Sequence, residues 1–252
     1  MNMDARIQQS VVVNLSRRPA PVEVGPFVLG LDPTTTSPYV NYATPRPGAA
    51  VTAADVTALV AAFGAADRKP RLEYVTSCVP DLEALLTAAG FVVEARHTYL
   101  LCVPETLASP PVPDHFHLCV PGADSQRAAL IGAQNEAFGD ESVPSEADVA
   151  RLRRQQDAGG VAVMAVGDDG TCAGGGGAAA PVGAVSEVAG IAVRRPYRRR
   201  GLASAITAEV TRRLFGADTE VAWLEAGGED SWRVYEHVGY RPAGQRLYLA
   251  MT

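Results

Sequence analysis

The sequence predicts an α/β protein with a mixed central sheet flanked by helices, built as two copies in tandem. Three observations support this class. Apolar, strand-like runs alternate with amphipathic helical segments in the second half of the chain. A similar order of segments recurs in the first half, and a proline-dense stretch separates the two halves. With 252 residues, 47% of them hydrophobic, the chain is long enough to bury the cores of two ordinary domains.

The proline-dense stretch lies between Val103 and Asp114. Proline cannot donate a ladder hydrogen bond, so this stretch is excluded from a central strand and predicts a stiff, extended connection. We therefore expect an N-terminal domain over residues 1–108, a linker over 109–114 and a second domain over 115–252.

The second domain begins with a predicted strand at 115–120 and a helix at 123–138. A second helix at 145–156 opens with Ser145 and Asp148 in the positions of a capping box. The glycine-rich segment 171–180 has the composition of a flexible linker, but its place between two strands favours a strand whose backbone lies close to a ligand. The remaining predicted segments are strands at 161–166, 188–193 and 221–225, a helix from Leu202, a helix from Asp230 and a final strand pair.

The segment from Val193 to Ala203 joins a strand to a helix through a loop suited to an anion. Gly201 stands where the strand-like run gives way to the helix, and glycine lets backbone N–H groups approach a ligand closely. The free N–H groups and the positive dipole end of a new helix favour a phosphate. Arg198, Arg199 and Arg200 add positive charge at this point, although a solvated run of arginines before a surface helix has the same composition.

These residues resemble the GNAT superfamily of CoA-dependent N-acyltransferases. The family signature, Arg/Gln-x-x-Gly-x-Gly/Ala after the fourth strand, is present here as Arg198-Arg-Arg-Gly201-Leu-Ala203. The neighbouring segments also fit the family, and the resemblance extends from about residue 115 to the end of the chain. It implies the GNAT acyl-CoA N-acyltransferase fold for this half.

The resemblance also implies the site residues. The family would bind the pyrophosphate of acetyl-CoA with the loop at Arg198, Arg199, Arg200, Gly201, Leu202, Ala203 and Ser204. The backbone around Ile191 and Val193 would splay from its neighbouring strand, bond the pantetheine arm and polarise the thioester carbonyl. Glu187, six residues before Val193, is the expected general base, and Glu225 is the alternative. Tyr235 is the expected general acid for the departing thiolate.

For the acidic candidate and for the aromatic candidate, a purely structural role remains an alternative at this point. Glu187 could be an ordinary glutamate at a strand end, and Tyr235 a packing residue of its helix. Cys172 has no histidine near it in sequence, which argues against a covalent acyl-enzyme. We therefore expect direct attack by the amine in a ternary complex.

Composition excludes several other classes of function. A formal net charge of −6 argues against a nucleic-acid partner, and no apolar run reaches the length of a membrane span. The first residues lack the apolar core of a signal peptide, so we expect a cytoplasmic protein. The four cysteines show no paired spacing. His115, His117 and Cys119 alternate along a predicted strand, but no fourth ligand lies nearby, and we expect no metal.

The first half of the chain contains a degenerate copy of the second. At the 149-residue offset between Gly90 and Gly239, residues 72–102 overlay residues 221–251 without a gap. Two alignments of the phosphate loop remain open, one placing Ala49 and the other Thr52 at the position of Gly201. In both the glycine is lost, and Leu86 replaces Tyr235. We expect this shortened copy to shape the cleft or a subunit interface, including that of a homodimer, rather than to catalyse.

The function expected from these observations is transfer of an acetyl group from acetyl-CoA to a primary amine of a small molecule or peptide. The alternative is a catalytically silent acyl-CoA-binding regulatory module. Neither the acceptor nor the length of the acyl chain can be derived from the sequence, because the fold alone does not determine the substrate.

Overall fold

The computed structural model describes residues 2–252, which form two compact units. One unit contains the described residues up to Tyr99 together with Ala243–Thr252, and the other contains Leu100–Pro242. Both units alternate helices and strands, so the predicted α/β class with a tandem, shortened N-terminal copy is confirmed.

The first unit is built on six strands in the order β1-β2-β3-β4-β11-β5. Its helices are α1 (Met3–Ser16), α2 (Ala53–Ala65) and α3 (Leu82–Ala88). Its strands are β1 (Val22–Val24), β2 (Phe27–Gly30), β3 (Tyr42–Pro45), β4 (Arg71–Val75), most of β5 (Phe91–Cys102) and most of β11 (Arg241–Met251). The C-terminal strand β11 pairs antiparallel with β4 over five residue pairs, from Arg246 opposite Val75 to Ala250 opposite Arg71.

Side chains on both faces of this sheet are buried. The helices α2 and α3 cover one face, where Leu72 and Tyr74 of β4 pack with Leu247 and Leu249 of β11. The helix α1 packs on β2, β3 and β4. It is held there by the buried side chain of Gln8, which bonds to both β3 and β4.

The second unit contains the strands and helices predicted from residue 115 to the helix near Asp230, in the expected order. The predicted final strand pair is instead the single strand β11, most of which belongs to the first unit. The strands of the second unit are β6 (Phe116–Cys119), β7 (Val161–Gly167), β8 (Cys172–Ala178), β9 (Val185–Val193) and β10 (Val221–Glu225), in the order β10-β9-β8-β7-β6. Its helices are α4 (Asp124–Phe138), α5 (Glu146–Asp157), α6 (Leu202–Phe215) and α7 (Glu229–Val238). All neighbouring strands are antiparallel except β9 and β10, which are parallel.

Two helices of this unit cover its sheet from opposite faces. Alternating residues of β7 separate them: Met164 packs with Leu130 of α4, whereas Val163 packs with Ile206 of α6. The capping box of α5 forms as predicted, because Ser145 Oγ and the Asp148 carboxylate exchange hydrogen bonds with the opposite backbone N–H groups.

The glycine-rich segment is the strand β8, as predicted, but the neighbouring protein atoms explain its glycines. A Cβ atom on Gly174 would lie 2.3 Å from the carbonyl oxygen of Ala192, and one on Gly176 would lie 2.2 Å from Ile191 Cδ1. On the other side, a Cβ on Gly175 would lie 2.2 Å from Leu130 Cδ1. The glycines thus make room for β9 and α4, and the expected close approach of a ligand is not needed to explain them.

The units divide the chain at other points than the predicted boundaries at 108 and 115. Leu100 and Cys102 belong to the core of the second unit, and the N–H of Ala108 donates to the carbonyl of Val238 in that unit. At the other end, Leu247 and Leu249 belong to the core of the first unit. The physical reason is strand pairing, because β11 completes the sheet beside β4.

The repeat places equivalent elements at nearly constant spacing. The helices α2 and α6 begin at Ala53 and Leu202, which are 149 residues apart. This spacing agrees with the alignment that places Thr52 at the position of Gly201, rather than the one that uses Ala49.

Neither a metal site nor a membrane span is found among the described residues, and the histidine and cysteines considered as ligands have other surroundings. His115 precedes β6 in a left-handed conformation, with φ of 68°, and its Nδ1 lies 2.8 Å from a carboxylate oxygen of Asp168. Among residues 2–252, no three His, Cys, Asp or Glu side chains are grouped to hold a metal ion, and no helix is both long and apolar enough to span a bilayer. The four cysteines are free thiols, of which Cys102 and Cys172 are buried.

Candidate cofactor and catalytic site

The parallel strands β9 and β10 pair along only part of their length. Their register covers three residue pairs and ends where Glu187 lies opposite Trp223, although β9 continues to Val193. The last six residues of β9 therefore pair with β8 alone, and their other backbone edge is available beyond the point where β10 diverges. Ile191 and Val193, predicted to line such a splay, lie in this segment.

A β-bulge in β9 accompanies the divergence. Gly177 pairs with Ala189 and Gly175 pairs with Ala192, so Gly190 and Ile191 of β9 lie opposite one residue of β8. Gly190 has a φ of 66°, a left-handed conformation that glycine adopts without strain. A bulge bends its strand and increases the local twist, which accounts for the separation of β9 from β10. The sequence analysis did not predict this bulge, although a lone glycine within a strand-like run is a sequence signal that could have indicated it.

The loop after β9 presents a row of backbone N–H groups. Arg199 and Gly201 both have positive φ, 65° and 88°, and Gly201 is the N-cap of α6. The first backbone bond of this helix runs from the N–H of Ala205 to the carbonyl of Gly201. Within the described chain, the N–H groups of residues 199–204 donate to no protein acceptor. Successive N–H groups in such a loop form a concave nest for an anion, and a helix N-terminus favours negative charge.

The three arginines of the loop have different surroundings. Arg198 donates from Nε to the carbonyl of Val193 and from Nη2 to the carbonyl of Ala137, both at 2.9 Å, so its guanidinium fixes the loop against α4. Arg199 is highly exposed and lies 3.9 Å from a carboxylate oxygen of Asp230. Arg200 packs over the ring of Tyr197. Of the three, Arg198 has the clearest structural role.

The two acidic candidates lie on the diverging strands. Glu187 is half-buried in the last residue pair between β9 and β10. Glu225 lies at the end of β10, two residues beyond that pair, and is also half-buried. Glu187 is thus at the point of divergence itself.

Tyr235 lies in α7 and packs in the core of the second unit, with 8% of its surface exposed. Its ring centroid is 6.3 Å from that of Tyr240. Burial raises the pKa of Tyr235 to about 12, so the phenol keeps its proton at neutral pH. Among residues 2–252 its hydroxyl has no hydrogen-bond partner, whereas the Tyr240 hydroxyl bonds to Thr211 at 2.6 Å. The phenol is more buried than the cleft-edge position expected from its helix face.

In the first unit, the positions that align with Gly201 and Tyr235 are occupied by Thr52 and Leu86. Thr52 caps α2, and the Asp55 carboxylate accepts from the Thr52 N–H at 2.8 Å and from its hydroxyl. A carboxylate of the protein thus lies at the helix N-terminus, and the hydrogen bonds from Thr52 lower the pKa of Asp55. Leu86, aligned with Tyr235, is fully buried.

Gln8 fills the gap between the parallel strands of this unit. β3 and β4 pair at a single position, Ala43 opposite Leu72. Gln8 Nε2 donates to the carbonyl of Pro45 at 2.6 Å, and its Oε1 accepts from the N–H of Val75 at 2.8 Å. The side-chain amide of Gln8 therefore bonds to backbone groups on both strands, and no property of Gln8 in the sequence indicated this contact.

Comparison with known proteins gives one family match and several similar solved structures. Residues 128–240 match the model of the acetyltransferase (GNAT) family. A solved GCN5-related N-acetyltransferase from Kribbella flavida is 27% identical, with a TM-score of 0.81 over 100% of this chain and 96% of its own. A search of curated protein sequences gives no match.

Two more distant structures share the fold. A GCN5-related N-acetyltransferase from Sphaerobacter thermophilus is 16% identical, with a TM-score of 0.62 over 90% of this chain and 80% of its own. A tandem GNAT protein from the clavulanic acid biosynthesis pathway is 14% identical, with a TM-score of 0.63 over 89% of this chain and 77% of its own.

Fold and matches together define an α/β protein with two GNAT-like units. Residues 128–240, which match the acetyltransferase (GNAT) family model, all lie in the second unit. Members of this family typically use acetyl-CoA.

Proposed function

We propose that the second unit transfers an acetyl group from acetyl-CoA to a primary amine of a small molecule or peptide, by direct attack in a ternary complex. The observation that carries the proposal is the pairing of two backbone features, the end of β9 beyond its pairing with β10 and the unbonded N–H groups at the N-terminus of α6. A cytoplasmic location and an amine acceptor remain predictions from the sequence.

The residues present fit an acyl-CoA. The nest at residues 199–204 offers N–H groups to a pyrophosphate, and Gly201 keeps the path free of a side chain. The free backbone edge of β9 around Ile191 and Val193 offers amide groups to a pantetheine arm and a donor to a thioester carbonyl. Arg198 stabilises the loop by donating hydrogen bonds to the carbonyls of Val193 and Ala137.

Bound acetyl-CoA would supply the acetyl group as a thioester. Glu187 takes a proton from the ammonium group, directly or through water, and the neutral amine forms the N–C bond as the C–S bond breaks. Tyr235 protonates the departing thiolate and regains a proton from the amide nitrogen, directly or through water. Burial raises the pKa of Tyr235 to about 12, so the phenol is protonated throughout the neutral range.

A panel of amines with acetyl-CoA, scored by release of free thiol and by the mass of the acylated product, tests this function. We expect thiol release that depends on the amine, with one amine class preferred. Acetyl-CoA binding without turnover on any amine would support the silent regulatory module instead. Absence of both binding and turnover would overturn both functions.

The first unit is proposed to bind no cofactor. The Asp55 carboxylate at the N-terminus of α2 would repel a phosphate, and the amide of Gln8 uses the strand groups that a pantetheine arm would need. These contacts support a single cofactor site in each chain, in the second unit.

A further inference from the structure

The last two turns of α4 contact β9 and the phosphate loop at three points. Gln134 Nε2 donates to the carbonyl of Gly190 at 2.7 Å. A carboxylate oxygen of Glu136 lies 3.2 Å from Nε of Arg194, and the carbonyl of Ala137 accepts from Arg198. The three partners, at 190, 194 and 198, follow one another along the open end of β9 and the loop after it.

The contact with Gly190 lies at the bulge itself. The extra residue of a bulge leaves the regular ladder, so its backbone groups need other partners. The side chain of Gln134 supplies one, reaching from a helix 56 residues earlier in the chain. A Cβ atom at position 190 would lie only 2.7 Å from Gln134 Nε2, so the glycine and the glutamine fit each other closely.

We propose that Gln134 is a positioning residue for the cofactor site. By holding the carbonyl of Gly190, it fixes the bulge that turns Ile191 and Val193 away from β10. The inference rests on the proposed function, because the edge that Gln134 holds open is the one assigned to acyl-CoA. Gln134 itself acts through Gly190 and takes no part in proton transfer.

The expected effect follows from pre-organisation. Without the Gln134 donor, the Gly190 carbonyl loses its partner, and conformations in which the bulge is absent or shifted gain population. Binding of the cofactor must then restore the bulge, which lowers affinity. A lost hydrogen bond to a partly buried acceptor corresponds to about a five- to tenfold weaker affinity for acetyl-CoA.

The test compares Gln134→Met and Gln134→Glu with the matched control Gln155→Met. Gln155 also donates from Nε2 to a strand carbonyl, that of Ala178 at 2.9 Å, and is also partly buried. Ala178 lies beside Val188, toward the paired half of β9. Met keeps the length of the side chain without a donor, and Glu places an acceptor against the Gly190 carbonyl.

Acetyl-CoA affinity by calorimetry, KM and kcat with an accepted amine, and melting temperature are measured for the three variants and the unaltered chain. We expect comparable losses of melting temperature in Gln134→Met and Gln155→Met, but weaker acetyl-CoA binding in the Gln134 variants alone. Equal affinities in all folded variants would overturn the role of Gln134 and leave the proposed function intact. Failure of the unaltered chain to bind acetyl-CoA would overturn the proposed function and this inference with it.

Discussion

Gly201 is the residue on which the candidate cofactor site depends most directly. Its φ of 88° orients the N–H groups that precede the first bond of α6, and its missing side chain leaves their approach open. A β-branched residue strains this conformation and places methyl groups beside the nest.

Gly201→Val should therefore lose most of its affinity for acetyl-CoA. Gly159→Val is a matched control, because Gly159 also has a left-handed φ, 94°, with open space around it, at the end of α5. Both changes should cost about 1–2 kcal/mol of stability through backbone strain. Calorimetric titration should show a weakened affinity for the Gly201 variant alone. An unchanged affinity in folded Gly201→Val would remove the loop from the cofactor site.

The base assignment predicts a particular dependence on pH. Glu187→Gln removes the group that accepts the ammonium proton, so turnover should fall most near neutral pH. It should recover partly as rising pH deprotonates the amine without help. The pH–rate profile of Glu187→Gln is compared with that of Glu225→Gln. A wild-type profile for Glu187→Gln and a changed one for Glu225→Gln would transfer the role to Glu225.

Tyr235→Phe deletes one hydroxyl from a buried ring. Because this hydroxyl has no protein partner among the described residues, the change should leave stability nearly intact. If the phenol protonates the thiolate, kcat should fall by about a hundredfold or more while acetyl-CoA affinity holds. Tyr240→Phe is the control, because it breaks the bond to Thr211 and should cost about 1 kcal/mol of stability. If kcat is the same in Tyr235→Phe as in the control Tyr240→Phe, Tyr235 has a packing role alone.

At the scale of elements, the distinctive feature is the placement of the C-terminal strand. Although β11 follows the second unit in sequence, Leu247 and Leu249 are buried in the first unit beside β4. Conversely, the end of β5 contributes Leu100 and Cys102 to the core of the second unit. A division of the chain at residue 115 therefore leaves each part without core residues that it needs.

A fragment of residues 115–252 should be less stable than a fragment of residues 100–242. The first lacks Leu100 and Cys102 and exposes Leu247 and Leu249, and each buried leucine contributes roughly 2 kcal/mol. Thermal unfolding by circular dichroism, with gel filtration to detect association, compares the two fragments. A stable, monomeric 115–252 fragment with the higher melting temperature would support the boundary at residue 115 that the sequence predicts.

Local patterns were sufficient to predict most elements of the second unit. The capping box at Ser145, the strand at Val161 and the helix from Leu202 are specified by residues within one or two turns of each other, so their signals are visible in sequence. The bulge at Gly190 was not predicted, although a lone glycine in a strand-like run is a local signal for a bulge. The resemblance to a known family, rather than any local pattern, supplied the site candidates.

Contacts between residues distant in sequence were not predictable in this way. The bond from Gln134 to Gly190 and the bonds of Gln8 to β3 and β4 depend on how helices pack on strands. The placement of β11 depends on strand pairing across the whole chain. None of these leaves a periodic or compositional signal near the residues involved.

At the scale of the molecule, two copies of one fold differ in the same small region. Each copy has a helix that begins after a parallel strand, but α6 begins at a left-handed glycine and α2 at Thr52 with the Asp55 carboxylate. In the first copy, Gln8 also bonds between the strands. Among the described residues, these contacts support our proposal that acyl-CoA binds to the second copy and not to the first.

Titration calorimetry of the full chain with acetyl-CoA tests this account most directly. We predict one molecule bound in each chain, with the site lost in Gly201→Val and retained in Gly159→Val. Two molecules per chain would contradict the role given to Thr52, Asp55 and Gln8, and no binding would contradict the cofactor site itself.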